Sequence, residues 1–248
     1  LKSYPADKNI TMDLIVQKYG GSSLADPSKI MAVARRIASS VSQNLRIVVV
    51  VSAMGNTTDD LIEQAYSITQ EPDERELALL LSTGEIVSCT LVTMALRSIG
   101  CKAISLSGAQ AGIHTDMDYR RARIIEIDTE RISRELHYGH VVVVAGFQGI
   151  TEDMNVTTLG RGGSDTTAVA LAAGLKAQRC EIYTDVDGIY TADPRVVPEA
   201  RKLDEIGYDE MLELASYGAK MHPRSIELGA LYNIPILVAS SFGETNGT

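Results

Sequence analysis

Arg46-Ile47-Val48-Val49-Val50-Val51-Ser52 is the stretch whose reading decides the fold. Five β-branched residues in succession leave no polar alternation, so neither face of the strand is designed to meet water. Such a strand belongs inside a parallel sheet covered on both sides. Val141-Val142-Val143-Val144-Ala145 repeats the pattern. Shorter apolar strands are predicted at Leu14–Lys18, Ala103–Leu106, Cys180–Thr184 and Ile236–Ser240, with a hairpin around Ile113 and Ile124. Helical stretches lie between them. Asp26-Pro27 supplies a cap and a first-turn proline for a helix reaching about Val41. Further helices are predicted over Thr58–Ile68, Glu74–Ser98, Thr129–Leu136, Ser164–Leu175, Tyr208–Tyr217 and Arg224–Tyr232. This alternation predicts an α/β protein: a three-layer α/β/α sandwich around an open, mainly parallel sheet.

Composition narrows the function. With 248 residues, 45% apolar and 22% charged, the chain can bury one large domain or two lobes sharing a sheet. The formal net charge is −9 and no block of Lys or Arg interrupts it, which argues against nucleic acid or an anionic membrane as partner. Cys89, Cys101 and Cys180 are odd in number and lack CxxC spacing, as expected of reduced thiols in the cytoplasm. His114, His137, His140 and His222 show no metal-ligand spacing, and no metal site built from protein side chains alone is expected. The first twenty residues lack the apolar centre of a signal peptide, and no run of transmembrane length is expected. Residues 1–11 are polar and patternless, and read as an extension or a non-native remnant ahead of Met12. Residues 243–248 have the composition of a linker, compatible with a fragment of a longer chain.

In open α/β sheets ligands sit beyond the carboxyl ends of the strands, and those ends hold the unusual residues. The first strand runs into Lys18-Tyr19-Gly20-Gly21-Ser22-Ser23, and the second into Ser52-Ala53-Met54-Gly55-Asn56-Thr57-Thr58. Gly146-Phe147-Gln148-Gly149 follows the Val141 strand, and Thr184-Asp185-Val186-Asp187-Gly188-Ile189-Tyr190 the Cys180 strand. Leu159-Gly160-Arg161-Gly162-Gly163-Ser164-Asp165 bends into an apolar helix, where free backbone amides and the helix dipole favour an anion. Lys18 can reach the same anion, and a point cation beside an amide cradle is what a transferring phosphoryl group requires. The pattern GxxxxGK[ST] is absent, as are HRD, DFG and a GxGxxG after the first strand. Each residue also has a plainer reading. Thr58 and Ser164 make good helix N-caps, Phe147 fits a core, and Asp193-Pro194-Arg195 fits a turn. Asp185-Val186-Asp187-Gly188 has the start of a calcium loop without its downstream glutamate. Glu85 follows Gly84 in an otherwise apolar helical stretch and is the hardest to explain structurally, because an unpaired buried carboxylate is costly.

Taken in order, Lys18–Ser23, Val51–Gly55, Ser82-Thr83-Gly84-Glu85, Ala111–Thr115, Gly160–Asp165 and Thr184–Arg195 resemble the aspartokinase catalytic domain of the amino-acid kinase superfamily. The resemblance runs from about Met12 to Phe242 and implies one catalytic domain, 12–242. It implies about eight strands in the sheet, an amino-acid lobe over about 12–155, and a nucleotide lobe over about 156–242. The activity implied is ATP-dependent phosphorylation of the side-chain carboxylate of L-aspartate to 4-phospho-L-aspartate, with Mg²⁺ carried by ATP. That reaction opens the route to lysine, threonine and methionine. Its nucleophile is already ionised at neutral pH, so lysines and amides are needed and a catalytic histidine is not.

By resemblance, Lys18 and Asp165 are catalytic, Asp165 orienting Lys18. Arg161 grips the α-carboxylate with its planar fork, and Glu85 faces the α-ammonium. Ser52, Thr58, Phe147 and Ser164 line the same pocket. Lys18, Gly20, Gly21, Ser22, Gly162 and Gly163 meet the phosphates, while Thr184, Asp185, Tyr190, Asp193, Arg195 and Lys220 hold nucleotide. The family's threonine is serine at Ser22, which keeps the hydroxyl, and one residue is missing between Lys220 and His222-Pro223. No ACT regulatory module is seen within the chain, and a homodimer is implied by resemblance alone. Two other readings remain open: an acetylglutamate- or uridylate-type kinase of the same superfamily, and a catalytically silent nucleotide-binding paralogue.

Overall fold

The valine runs do lie in the interior of a parallel sheet. The structure, a computed structural model, describes residues 13–218, 221–243 and 246–248; the extension read at 1–11 lies outside the described residues. In chain order the strands are β1 (Leu14–Tyr19), β2 (Arg46–Val51), β3 (Ala103–Leu106), β4 (Ile113–Thr115), β5 (Ile124–Ile127), β6 (Val141–Ala145), β7 (Gln148–Ile150), β8 (Val156–Thr158), β9 (Arg179–Thr184) and β10 (Ile236–Ser240). The helices are α1 (Pro27–Ser42), α2 (Thr57–Ile68), α3 (Glu74–Ser98), α4 (Glu130–His137), α5 (Gly163–Gly174), α6 (Tyr208–Ser216) and α7 (Pro223–Tyr232). A 3-10 turn, Gly21–Leu24, follows β1.

Six strands form the main sheet, in the order β10-β9-β1-β2-β6-β3, with every pairing parallel. Successive side chains leave opposite faces of a strand, and here both faces are covered. Val16, Val48, Val50, Val142, Val144 and Ile182 pack toward α4, α5, α6 and α7. Ile15, Ile47, Val49, Val51 and Val143 pack toward α1 and α3. That double burial is why the strands carry no alternation. Asp26 caps α1 by accepting from the Lys29 amide at 2.9 Å, as expected from Asp26-Pro27.

The expected eight strands are distributed differently. Six are in the parallel sheet, and a second, mixed sheet runs β5-β4-β7-β8. The hairpin around Ile113 and Ile124 supplies β4 and β5, paired antiparallel. Strands β7 and β8 have three residues each, too short for a two-residue period to show in sequence. Helix α3 is long and apolar enough to cross a membrane, with mean hydropathy 1.7 in its most apolar window, 56% of which is buried inside the fold. A search for unbroken apolar runs misses it because Ser82, Thr83 and Glu85 interrupt the sequence.

Candidate active site

The register lines up the carboxyl ends of the four central strands. Tyr19 pairs with Val51 and with Tyr183, and Val51 with Ala145. The next residues out, Gly20, Ser52, Gly146 and Thr184, therefore form one row along the sheet edge. The chain fills the β2 side of β1 first and returns to its other side with β9, which makes this edge a topological switch point. On the α1 face, the rings of Tyr19 and Tyr183 stack with centroids 5.0 Å apart, holding β1 and β9 level.

A cavity of about 670 Å³ opens at this edge. Lys18 points to the α5 side of β1 and is only 9% exposed. Its ammonium lies 2.6 Å from Asp165 Oδ1, in the first turn of α5. The strand and the helix thus present a paired cation and anion to one space. Gly20 packs against the same ammonium: a Cβ there would stand 3.5 Å from Lys18 Nζ. Gly21 has to be glycine because a Cβ would come within 2.6 Å of the Ala53 carbonyl oxygen.

The predicted amide cradle is only partly free. Gly20 N–H donates to the Tyr183 carbonyl at 3.4 Å, and Gly163 N–H to the Gly160 carbonyl at 3.0 Å. Among the described residues, the amides of Gly21 and Gly162 have no such partner. Gly162 is the N-cap of α5 in the left-handed conformation (φ 69°), with no side chain capping the helix. Its first-turn amides therefore face the cavity side with their dipole exposed. The N-cap of α2 is Asn56. Neither Ser164 nor Thr58 serves as a cap, and both line the cavity instead.

Glu85 sits mid-helix in α3, 3% exposed. Oε1 accepts from the Ala53 amide at 3.0 Å, while Oε2 has no hydrogen-bond partner among the described residues. Burial pushes its pKa up to about 7, against a smaller lowering from the Ala53 amide. Gly84 lets α3 come this close, since a Cβ there would already stand 3.0 Å from Ala53 Cβ. The result is a half-satisfied carboxylate on the wall of a cavity, arranged for a cationic partner.

Ser52, Phe147, Arg161 and Ser164 line the same cavity. Phe147 adopts φ 67°, uncommon for a bulky residue. It is held there by Thr167 Oγ1, which accepts from its amide at 3.2 Å, and by the Leu159 amide, which donates to its carbonyl at 2.8 Å. Arg161 is exposed and forms no ion pair among the described residues. Two further arginines, Arg120 and Arg121, also line this cavity and were not expected. They lie in the connection between β4 and β5, which reads from sequence only as the turn of a hairpin. Arg120 stands 3.8 Å from Glu74, with both side chains over half exposed.

The residues expected to hold nucleotide gather elsewhere. Thr184, Asp185, Tyr190, Asp193 and Arg195 line no part of this cavity; they follow β9, directly beside the β1 edge. Thr184 donates to Asp185 Oδ1 at 3.0 Å, and Tyr190 to Asp187 at 3.1 Å. Arg195 pairs with Asp193 at 2.8 Å and holds that carboxyl down at about 2. Ser22 is exposed on the 3-10 turn, outside the cavity lining. Lys220 lies outside the described residues. Among those described, no three His, Cys, Asp or Glu side chains cluster to cage a metal.

A family model described as the amino acid kinase family matches residues 13–240. The chain belongs to the amino acid kinase family. Within that family it is similar to aspartokinases. It is 55% identical to the aspartokinase of Geobacillus stearothermophilus over 238 residues, 96% of this chain and 58% of that one. The chain thus spans a little over half the length of such relatives. The crystal structure of aspartate kinase from Synechocystis superposes with a TM-score of 0.85 at 51% identity, covering 95% of this chain and 39% of that one. E. coli aspartokinase III, solved in complex with aspartate and ADP, gives a TM-score of 0.84 at 30% identity, covering 95% and 64%.

Proposed function

We propose that this domain transfers the γ-phosphoryl group of ATP to the side-chain carboxylate of L-aspartate, giving 4-phospho-L-aspartate and ADP. The observation that carries the reading is the placement of Lys18, Asp165, Arg161 and Glu85 around one cavity at the switch point of the sheet. A free amino acid has two ends of opposite charge. Arg161 supplies a bidentate partner for the α-carboxylate and Glu85 a buried counter-charge for the α-ammonium. Ser52, Thr58, Phe147 and Ser164 shape the space between them. A substrate lacking a free ammonium would leave Glu85 Oε2 without a partner, which disfavours an acetylglutamate or a uridylate acceptor.

The bond that forms joins an aspartate carboxylate oxygen to Pγ; the bond that breaks joins Pγ to the β,γ-bridging oxygen, and ADP leaves with that electron pair. No proton needs to move. The barrier is the approach of two anions, so the protein's contribution is charge and alignment. Lys18, positioned by Asp165, neutralises the transferring group. The amides of Gly21 and Gly162 and the α5 N-terminus complete the cradle, and Gly20 and Gly163 act by letting the backbone come close. Thr184, Asp185, Tyr190, Asp193, Arg195 and Lys220 are proposed to hold the nucleotide from the adjoining strand end. No carboxylate cage forms among the described residues, so Mg²⁺ would be held mainly by the phosphates of ATP. When bound, it would neutralise phosphate charge. The product would feed lysine, threonine and methionine synthesis, a cytoplasmic role.

ADP release, measured with aspartate, N-acetylglutamate and UMP as separate acceptors in the presence of ATP and Mg²⁺, tests the assignment. Turnover with aspartate alone is expected. Turnover of either other acceptor without aspartate would overturn it, and ATP binding with no turnover of any acceptor would identify a silent paralogue.

A further inference from the structure

We infer that Thr248 is a positioning residue for the nucleotide, its hydroxyl closing the neck of the loop that follows β9; this rests on the nucleotide reading of that loop. The neck opens at the pair Ile189 and Leu203. Leu203 N–H donates to the Ile189 carbonyl at 2.8 Å, which leaves the Ile189 amide and the Leu203 carbonyl unmatched by each other. Thr248 Oγ1 serves both, accepting from Ile189 N–H at 2.9 Å and donating to the Leu203 carbonyl at 2.6 Å. One hydroxyl thus joins the two strands of the neck, using its donor and an acceptor lone pair together. Gly188 leaves room for it: a Cβ there would lie 2.6 Å from Thr248 Oγ1. Beyond the neck, Tyr190 bridges Lys202, and the Thr191 amide donates to the Arg201 carbonyl at 2.9 Å, so closure at 189–203 sets the frame for Asp193 and Arg195.

Thr248 is itself fixed to the main sheet. It exchanges two backbone hydrogen bonds with Val238, both 2.9 Å, along the outer edge of β10. Gly247 makes this approach possible at φ 67°, where a Cβ would stand 2.5 Å from the Val238 carbonyl oxygen. The segment leaving β10 touches the same half of the site twice more. Ser241 N–H donates to the Thr184 carbonyl at 2.8 Å, and Ser23, beside the phosphate loop, donates to Ser241 Oγ at 2.8 Å. Arg36 Nη2 donates to the Gly243 carbonyl at 2.7 Å while its guanidinium stacks over Tyr183 at 4.8 Å. Residues whose composition reads as a linker are tied at these points to the strand ends and to the loop.

Amide hydrogen exchange and ADP calorimetry on the wild type, Thr248→Val, Thr248→Ser and Gly247→Ala test this. Valine keeps the shape and removes the hydroxyl. Exchange at Ile189 should rise about 10-fold and ADP should bind about 5- to 10-fold more weakly, as for loss of a partly buried hydrogen-bond relay. Serine should retain wild-type values, and Gly247→Ala, which lifts the segment with the hydroxyl intact, should follow valine. Unchanged ADP affinity in Thr248→Val overturns the proposal, as does acceleration spread equally through β1 and β2. A wild type that binds ADP without turning over aspartate would defeat the substrate assignment while leaving this result readable. A wild type that binds no ADP would remove the nucleotide reading and this inference together.

Discussion

The Lys18 ammonium and the Asp165 carboxylate meet 2.6 Å apart across the junction between a central strand and the first turn of a helix. Their side chains are 11% and 13% exposed, so water screens the pair little. The pair holds the cation where the strand edge and the amides of α5 converge. Lys18→Ala should therefore lower kcat roughly 10²-fold or more with a modest change in ATP KM. Asp165→Asn should lower kcat as well, by leaving the ammonium without its guide. Steady-state kinetics with both substrates varied check this. An unchanged kcat in Lys18→Ala would remove that residue from the chemistry.

Glu85 makes the site sensitive to pH. Its pKa is about 7 in the fold against 4.5 for a free glutamate, because burial disfavours the charged form. The sign follows from proton binding: the folded state holds the proton more tightly. The stability this contributes is fully present below about pH 4.5 and is lost as pH rises through about 7, on the order of 3 kcal/mol in all. The substrate effect runs the other way. An ammonium needs the ionised carboxylate, so the KM for aspartate should fall as pH rises through about 7. Glu85→Gln should flatten both profiles and raise the KM. A KM profile identical to wild type would take the ammonium away from Glu85.

Arg161 is exposed on the cavity lining and has no ionic partner among the described residues, which leaves its fork available for a carboxylate. Arg161→Ala should raise the KM for aspartate about 10- to 100-fold, the loss expected for a charge-assisted bidentate contact. Arg161→Lys should recover little, since a point charge lacks the fork. A defect confined to ATP would contradict the assignment.

Much of this was readable because burial on two faces writes itself into a strand as an unbroken run. Ile47–Val51 and Val141–Ala145 gave the layers, and strand ends rich in glycine gave the edge where Lys18, Ser52 and Phe147 gather. Asp165 and Arg161 were legible as charges beside a glycine bend. Partnerships between distant segments were not. Whether the Gly20 amide is free depends on the Tyr183 carbonyl, which only the β1–β9 register brings near. Arg120 and Arg121 reach the cavity through the second sheet, whose strands β7 and β8 are too short to announce themselves. The Glu85 helix was visible, but its contact with the Ala53 amide depends on how closely α3 packs at Gly84.

Gly162 carries two constraints that can be separated. Its φ of 69° disfavours any side chain, and an added Cβ would fall 2.3 Å from His222 Cβ, the residue that caps α7. Gly100 provides the control, with φ 86° and open space around a new Cβ. Gly100→Ala should cost about 1 kcal/mol from backbone strain alone. Gly162→Ala should cost about 1–3 kcal/mol more, because a methyl must be forced into occupied space. Combining it with His222→Gly, which removes that Cβ together with the ring, should recover most of that excess relative to the His222→Gly background, a coupling that a mutant cycle in urea denaturation isolates. Equal losses at both glycines would mean that the histidine ring yields freely, and that the entry to α5 is not braced from α7.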